Sequence, residues 1–231
     1  MSGNYKQEIY PVKETYSSSM SLKTNKLVNV RQLLWKELPV LLGEFLGTFM
    51  FLFFAFAFGF SLLVNVAIFS DVSGAMFNPA VTLALWGVGM IRWQRVIHAI
   101  IAQLLAGIIA AFLVSVMLPS KLAVATTLNV STTSVSQGFF LEIFMTAQLL
   151  LAILLVPSGP SKPMYCGFAL FIAHLTGIYS TGASLNPART LGPMAVVGAQ
   201  SSDWIYIVGP VFGAGLAAGI YKVLKMSQQE D

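Results

Sequence analysis

The same tripeptide occurs twice in this chain, as Asn78-Pro79-Ala80 and as Asn186-Pro187-Ala188. Each copy lies in an apolar stretch, at residues 77–90 and 186–198, that is too short to cross a bilayer, because a crossing takes about 20 helical residues. Proline suits the first turn of a helix, and the preceding asparagine caps that helix while its side-chain NH₂ can still donate. The two copies therefore predict two half-helices that enter a membrane without spanning it.

The sequence around the two tripeptides repeats as well. Glu44 begins Glu-Phe-Leu-Gly-Thr-Phe, and Glu142 begins Glu-Ile-Phe-Met-Thr-Ala. These glutamates fall in half-repeats at about 37–118 and 138–221, which are inverted relative to each other if each contains an odd number of spans. The pattern predicts an all-α membrane protein with three spans and one re-entrant half-helix in each half.

The composition points to a protein that is solvated mainly by lipid. Of 231 residues, 56% are hydrophobic and 10% charged, and the mean hydropathy is +0.77; soluble domains carry about 25% charged residues. This balance excludes a nucleic-acid binder, an ordinary cytosolic enzyme and a disordered regulator. The chain also offers no Ser/His/Asp set, phosphate loop or metal-ligand cluster, so we expect no enzyme and no metal site. The apolar blocks lie at 38–69, 96–118, 138–156, 164–180 and 204–221.

The basic residues predict the orientation. If the spans alternate, eleven of the thirteen lysines and arginines share one side, Lys121 lies on the other, and Arg189 lies inside an apolar stretch. The positive-inside rule then puts both termini in the cytosol. We therefore expect a flexible cytosolic arm over 1–36, a membrane domain over 37–221 and a cytosolic tail over 222–231.

Three charged residues fall within apolar blocks, where a charge is costly and usually functional: Glu44, Glu142 and Arg189. Each glutamate either accepts hydrogen bonds from backbone N–H groups of a re-entrant loop or contacts a substrate, and we favour the first role. Two half-helix tips that meet at the midplane would bring positive dipole ends and amide donors together. Irregular backbone at that depth is tolerated where it lines a wet cavity. The sequence thus predicts a water-filled pore that is hostile to cations.

Residues 73–82 and 181–190 resemble the two signature loops of the aquaporins, and residues 204–210 resemble the last span of that family. The likeness covers about 38–221 and is closest to fungal water channels. It implies a passive water channel that excludes protons and ions, and a homotetramer with one pore per subunit and no cofactor. We expect water as the permeant, lipid as the surroundings, no nucleic-acid partner, and a plasma-membrane location. The outer loop, 119–137, holds a candidate glycosylation site at Asn129.

The resemblance also places the family's selectivity filter, by offset from the asparagines, at Phe58, His174, Ala183 and Arg189. A ring of Phe, His, a small residue and Arg resembles the water-selective branch. In the glycerol-conducting branch the histidine becomes small and an aspartate follows the arginine, whereas Thr190 follows it here. Many relatives carry a cysteine where this chain has Ala183, which implies weak inhibition by mercurials.

The first half is shorter than the family pattern. The segment from Glu44 to Asn78 is ten residues shorter than the segment from Glu142 to Asn186. The chain either turns near 56–59, which leaves a second span of only about 12 residues and a locally thinned bilayer, or forms one helix over 41–69 that puts the Asn78 loop on the wrong side. Otherwise the sequence derives from a deleted allele or a mis-spliced gene model. We favour the aquaporin-like fold with a truncated first hairpin.

Two other functions stay open from the sequence. One is a glycerol or small-solute facilitator, which His174 and Thr190 disfavour. The other is a non-conducting deletion variant of a water channel, which the short first half supports. The arm carries Tyr5, Tyr10 and Tyr16, which either plug the cytosolic mouth or belong to a tail without a gating role; we favour the second.

Overall fold

The computed structural model describes residues 30–53, 58–117 and 126–228. All regular secondary structure within these ranges is helical, as predicted. The helices, in chain order, are α1 (Val30–Phe53), α2 (Phe58–Ser73), α3 (Pro79–Gly87), α4 (Trp93–Met117), α5 (Val135–Leu155), α6 (Lys162–Gly177), α7 (Pro187–Val197) and α8 (Ile205–Ser227).

Local chemistry explains where several helices begin. Asn78 caps α3 and Asn186 caps α7, and in both cases proline is the first helical residue. Helix α5 begins with a capping box, in which Ser134 Oγ accepts from the Gln137 N–H and Gln137 Oε1 accepts from the Ser134 N–H. Each device provides partners for N–H groups that the first turn of a helix leaves unpaired.

The long helices place small residues inside and large apolar residues outside. Helix α4 buries Ala99 and Ala106 completely, while Ile97, Ile101 and Leu105 are each about half exposed. Small residues allow close helix approach, and exposed large aliphatic residues suit a lipid environment. Helices α4, α5 and α8 are each long and apolar enough to cross a membrane.

The two halves pair their helices in the same way. Helix α1 packs on α2 and α4, and α5 packs on α6 and α8. Across the halves, α2 packs on α6, the half-helix α7 on α4, and the half-helix α3 on α8. The predicted inverted repeat of three spans and one half-helix is therefore confirmed.

Glycines allow a close contact between the halves at the α2–α6 crossing. A Cβ on Gly59 would lie 2.8 Å from the Gly167 carbonyl oxygen, and one on Gly167 would lie 2.6 Å from the Gly59 carbonyl oxygen. The two backbones touch there because neither residue has a side chain.

The shortened first half still forms two antiparallel helices. Ser61 Oγ, near the start of α2, donates to the carbonyl of Phe51 at the end of α1 (3.2 Å). At the opposite end of the pair, Ser73 Oγ donates to Glu44 Oε1 (2.8 Å). The alternative of a single helix over 41–69 is therefore wrong. The second span is also longer than the sequence suggested, because α2 has 16 residues.

Of the ten missing residues, four fall in each arm of the hairpin and two in the connection between α1 and α2. The stretch from Glu44 to the end of α1 is four residues shorter than the stretch from Glu142 to the end of α5. The stretch from the start of α2 to Asn78 is likewise four residues shorter than the stretch from the start of α6 to Asn186. Counted from Glu44 and from Asn78, each arm of the first hairpin therefore reaches about 6 Å less far towards the hairpin tip than its counterpart in the second half. The shortening lies at the hairpin tip, away from the half-helix.

Some sequence predictions concern residues that the structure does not describe. Tyr5, Tyr10 and Tyr16 lie outside the described ranges, and so does the side chain of Phe58, whose backbone begins α2. Helix α1 begins at Val30, within the arm predicted over 1–36. The domain boundaries themselves stay predictions.

Candidate pore at the meeting of two half-helices

The two asparagines meet at the tips of α3 and α7, and each side chain binds both halves. Asn78 Oδ1 accepts from the Ala80 N–H (2.8 Å), while its Nδ2 donates to the Leu185 carbonyl of the other half (2.8 Å). Asn186 Oδ1 accepts from the Ala188 N–H (2.9 Å), while its Nδ2 donates to the Phe77 carbonyl (2.9 Å). The side-chain amides therefore cross-link the two tips. Since an NH₂ group carries two hydrogens, each asparagine keeps a second one that can be donated.

A short loop leads into each half-helix: residues 74–77 form the first loop and residues 182–185 form the second. The backbone of both loops has the same unusual conformation. Gly74, Ala75 and Phe77 have φ values of 89°, 51° and 51°. Gly182, Ala183 and Leu185 repeat this pattern with 72°, 49° and 56°. A left-handed conformation costs a non-glycine residue roughly 1–2 kcal/mol. The surroundings must therefore hold both loops in place.

The buried glutamates contact these loops. Glu44 is fully buried and accepts from the N–H groups of Met76 and Phe77, both at 2.9 Å. Glu142, also fully buried, accepts from the N–H groups of Ser184 (3.0 Å) and Leu185 (2.8 Å). Because each carboxylate binds the N–H groups of its loop, the carbonyls of that loop are left for other partners.

The structure adds loop contacts that the sequence analysis missed. Ser73 and Thr181 each donate a hydroxyl hydrogen to the glutamate of their half, at 2.8 and 2.7 Å. Gln103 Nε2 donates to Glu44 (2.7 Å), and Arg95 Nη2 donates to the Ser73 carbonyl (2.6 Å). Two features of the sequence could have indicated these contacts. Ser73 and Thr181 each lie five residues before the asparagine of their half, and Gln103 is a polar residue in an apolar helix.

Three of the four predicted filter residues have described side chains, and all three are buried. Ala183 lies in the second loop, Arg189 lies in the first turn of α7, and His174 lies near the end of α6. His174 and Arg189 are close enough to interact electrostatically.

His174 Nδ1 lies 2.9 Å from the Leu170 carbonyl. Since a carbonyl can only accept, Nδ1 carries the hydrogen, and a neutral ring then offers Nε2 as an acceptor. Arg189 therefore supplies the donors of this pair, and His174 supplies an acceptor.

A cavity of about 2020 Å³ reaches the asparagine pair from one side of the molecule. Its mouth includes Asp71, Arg92 and Lys225, and its inner end includes Asn78 and Asn186. Apolar side chains such as those of Leu62, Val66 and Leu170 line the wall between them, together with Cys166. The cavity is thus a polar-ended, mostly apolar passage that leads to two amide donors.

Asn129, the candidate glycosylation site, is partly exposed in the segment between α4 and α5. Its backbone N–H donates to the Ser180 carbonyl (2.9 Å), and its Nδ2 donates to the Tyr179 carbonyl (3.3 Å). The side-chain nitrogen that a glycan would occupy is therefore engaged in a hydrogen bond in this conformation.

These features define a class: a multi-pass membrane protein with two inverted halves whose half-helices meet end to end. Residues 53–221 match the family model described as major intrinsic protein. The chain is 39% identical to aquaporin-1 of Gibberella zeae over 227 residues, which cover 84% of this chain and 71% of the relative. The chain belongs to the major intrinsic protein family, and the relatives that it matches are aquaporins.

Other relatives agree with this assignment. Aquaporin-7 and aquaporin-2 of Botryotinia fuckeliana are each 44% identical over 74% of this chain. The chain spans only 39% and 47% of the length of these two relatives. Among solved structures, the aquaglyceroporin from Plasmodium falciparum superposes with a TM-score of 0.73, 23% identity, and coverage of 80% of this chain and 95% of that chain. At that identity the superposition shows the fold alone.

Proposed function

We propose that this chain is a passive water channel that excludes protons and ions. The observation that carries the proposal is the cross-linked asparagine pair at the inner end of the 2020 Å³ cavity. Two amide donors and two half-helix N-termini at one point orient water and repel cations. Water that accepts hydrogen bonds from both asparagines points its own hydrogens away from the centre, which interrupts a proton wire.

The preference for water over glycerol rests on His174 and Arg189. Both side chains are large, buried and within electrostatic range of each other, and Ala183 accompanies them. A donor from Arg189 and an acceptor from His174 can replace the hydrogen bonds that a single water molecule loses on entry. Phe58 completes the proposed ring. A glycerol or small-solute facilitator is the second candidate, which His174 and Thr190 disfavour.

Stopped-flow light scattering on proteoliposomes separates these functions. We expect fast shrinkage in a gradient of an impermeant osmolyte and slow glycerol entry. Fast passage of both water and glycerol would favour the facilitator. Water and glycerol rates equal to those of protein-free vesicles would favour the non-conducting variant. The variant His174→Gly should raise glycerol permeability, while His98→Gly, near the start of α4 and away from the proposed filter, serves as the matched histidine control.

The assembly and location are part of the same proposal. We propose a homotetramer with one pore per subunit in the plasma membrane, with both termini in the cytosol. The cavity mouth then faces the cytosol, since Arg92 and Lys225 line it. Protease protection of tags at the two termini in intact cells tests the orientation, and cross-linking in native membranes tests the tetramer.

A further inference from the structure

Three buried hydroxyl groups connect the outer segment, residues 126–134, to the second half-helix. Thr126 Oγ1 lies 2.7 Å from Thr190 Oγ1, and Thr190 Oγ1 lies 2.7 Å from Ser184 Oγ. Ser184 Oγ donates in turn to the carbonyl of Asn186 (3.0 Å). All three residues are at most 5% exposed. The contacts form a continuous chain from the outer segment to the asparagine.

The direction of this chain follows from counting hydrogens. A hydroxyl has one hydrogen to donate, and the Asn186 carbonyl can only accept. Ser184 therefore donates its hydroxyl hydrogen to that carbonyl and accepts from Thr190. Since Thr190 donates to Ser184, it accepts from Thr126. The order of donation is Thr126 to Thr190 to Ser184 to the Asn186 carbonyl. Such aligned bonds polarise one another and are stronger together than singly.

The first half contains a counterpart that starts from a different element. Gln103 Nε2 on α4 donates to Thr82 Oγ1 (3.0 Å), and Thr82 Oγ1 donates to the Asn78 carbonyl (3.0 Å). Thr82 and Thr190 both lie four residues after their asparagine. Each half thus directs a side-chain donor chain at the carbonyl of its asparagine, and in the second half the first donor comes from the outer segment.

The outer segment also contacts the backbone of the second loop. A Cβ on Gly182 would lie 3.3 Å from Thr126 Cα and from the Thr127 nitrogen, so the segment touches the backbone of the second loop. The Asn129 N–H also donates to the Ser180 carbonyl (2.9 Å). The segment therefore packs against the backbone of Ser180 and Gly182, just before Ala183.

We propose that Thr126 and Ser184 are positioning residues for selectivity. Through the directed hydroxyl chain, the outer segment fixes the second loop and the first turn of α7, and so fixes Ala183 and Arg189. This inference rests on the proposed function, because it assigns a role to residues around the proposed filter.

The test measures water, glycerol and proton permeability of Thr126→Val in proteoliposomes, alongside Thr126→Ser and Thr127→Val. Valine keeps the shape but removes the hydroxyl, serine keeps the hydroxyl, and Thr127 is an exposed neighbour in the same segment. Since one hydrogen bond contributes about 0.5–1.5 kcal/mol, we expect Thr126→Val to lower the ratio of water to glycerol permeability about twofold to tenfold. Thr126→Ser and Thr127→Val should keep the wild-type ratio.

Two results would overturn the proposal: a wild-type ratio in Thr126→Val, or an equal loss in Thr126→Ser, which would assign the effect to packing. If Thr126→Val does not fold, Ser184→Ala removes the last hydroxyl of the hydrogen-bonded series and should lower the ratio of water to glycerol permeability in the same way. An unchanged ratio in Ser184→Ala also overturns the proposal. A wild-type protein without water permeability would instead count against the proposed function, so the two failures are distinguishable.

Discussion

Each motif asparagine performs several tasks with one side chain. Its oxygen caps its own half-helix, and one amide hydrogen binds the opposite half. The second amide hydrogen remains for a permeant, in our proposal. Because the first two tasks use bonds within the protein, the asparagines are fixed before water arrives. This preorganisation is what a donor site in a narrow pore requires.

Replacement of Glu44 by Gln should destabilise the first loop. The carboxylate accepts four hydrogen bonds, from Ser73, Met76, Phe77 and Gln103. Glutamine has one acceptor oxygen and turns an NH₂ group towards donors, so we expect a loss of about 2–4 kcal/mol. A melting curve of the detergent-solubilised protein measures the change. Glu37→Gln is the control, because Glu37 lies near the helix ends with His98 3.6 Å away, and this variant should lower the melting temperature only slightly. Equal melting temperatures of the two variants would contradict the role assigned to Glu44.

Mercuric chloride should inhibit water flux only weakly. Ala183 cannot bind mercury, and the chain's one cysteine, Cys166, lines the wide cavity rather than the proposed filter. A mercury atom on Cys166 leaves most of a 2020 Å³ cavity open. Osmotic shrinkage with and without the reagent measures inhibition, and Cys166→Ser is the control. Strong reversible inhibition of the wild-type protein would contradict this expectation, and its loss or persistence in Cys166→Ser would show whether mercury acts at Cys166.

At the scale of elements, the two half-helices and the inverted repeat could be predicted from the sequence, because Asn-Pro-Ala and the glutamate recur at matching positions. Whether the short first half forms one helix or two antiparallel helices could not be predicted from the sequence. Phe51 to Phe58 contain no turn residue or charge, and a single helix over 41–69 was compatible with that pattern. Tertiary contacts decided it: Ser61 with Phe51, and Ser73 with Glu44.

The site was predictable to a similar degree. The sequence indicated the asparagines, the glutamates and Arg189, since each is polar or charged in an apolar block. Thr126 gave no signal, because a threonine in a polar loop is ordinary and its partner Thr190 lies 64 positions away. Contacts of this kind depend on how loops fold over the helices and not on local patterns.

The α2–α6 crossing should not tolerate a side chain. In Gly167→Ala the new Cβ would lie 2.6 Å from the Gly59 carbonyl oxygen, which forces the helices apart at a cost of about 1–3 kcal/mol. The control is Gly215→Ala on α8, where nothing lies within 4 Å of the added Cβ and alanine favours the helix. Thermal melting should therefore fall for the first variant and stay level or rise for the second. Similar melting of both would show that the contact is unimportant.

At the scale of the whole molecule, the structure combines long and short spans. Helices α2 and α6 have 16 residues each, about 24 Å, while α4 has 25. A typical hydrocarbon core is about 30 Å thick. The two 16-residue helices therefore fall about 6 Å short of that thickness.

Water permeability per protein should therefore depend on bilayer thickness. A thinner bilayer matches the short helices at lower cost, so reconstitution in phosphatidylcholine with 14-carbon chains should give higher activity than with 22-carbon chains. Stopped-flow rates, corrected for the protein-free vesicles of each lipid, measure this dependence. An activity that rises steadily with chain length would contradict the assignment of the short hairpin as a spanning unit.

In the proposed channel, water passes the meeting point of the two half-helices. One comparison tests this directly: the osmotic water permeability of wild-type proteoliposomes against that of proteoliposomes with the double variant Asn78→Ala and Asn186→Ala. We predict wild-type shrinkage well above that of protein-free vesicles, and shrinkage near the protein-free rate for a double variant that still reconstitutes as a helical protein. Wild-type shrinkage at the protein-free rate, or a folded double variant as fast as wild type, would contradict the account.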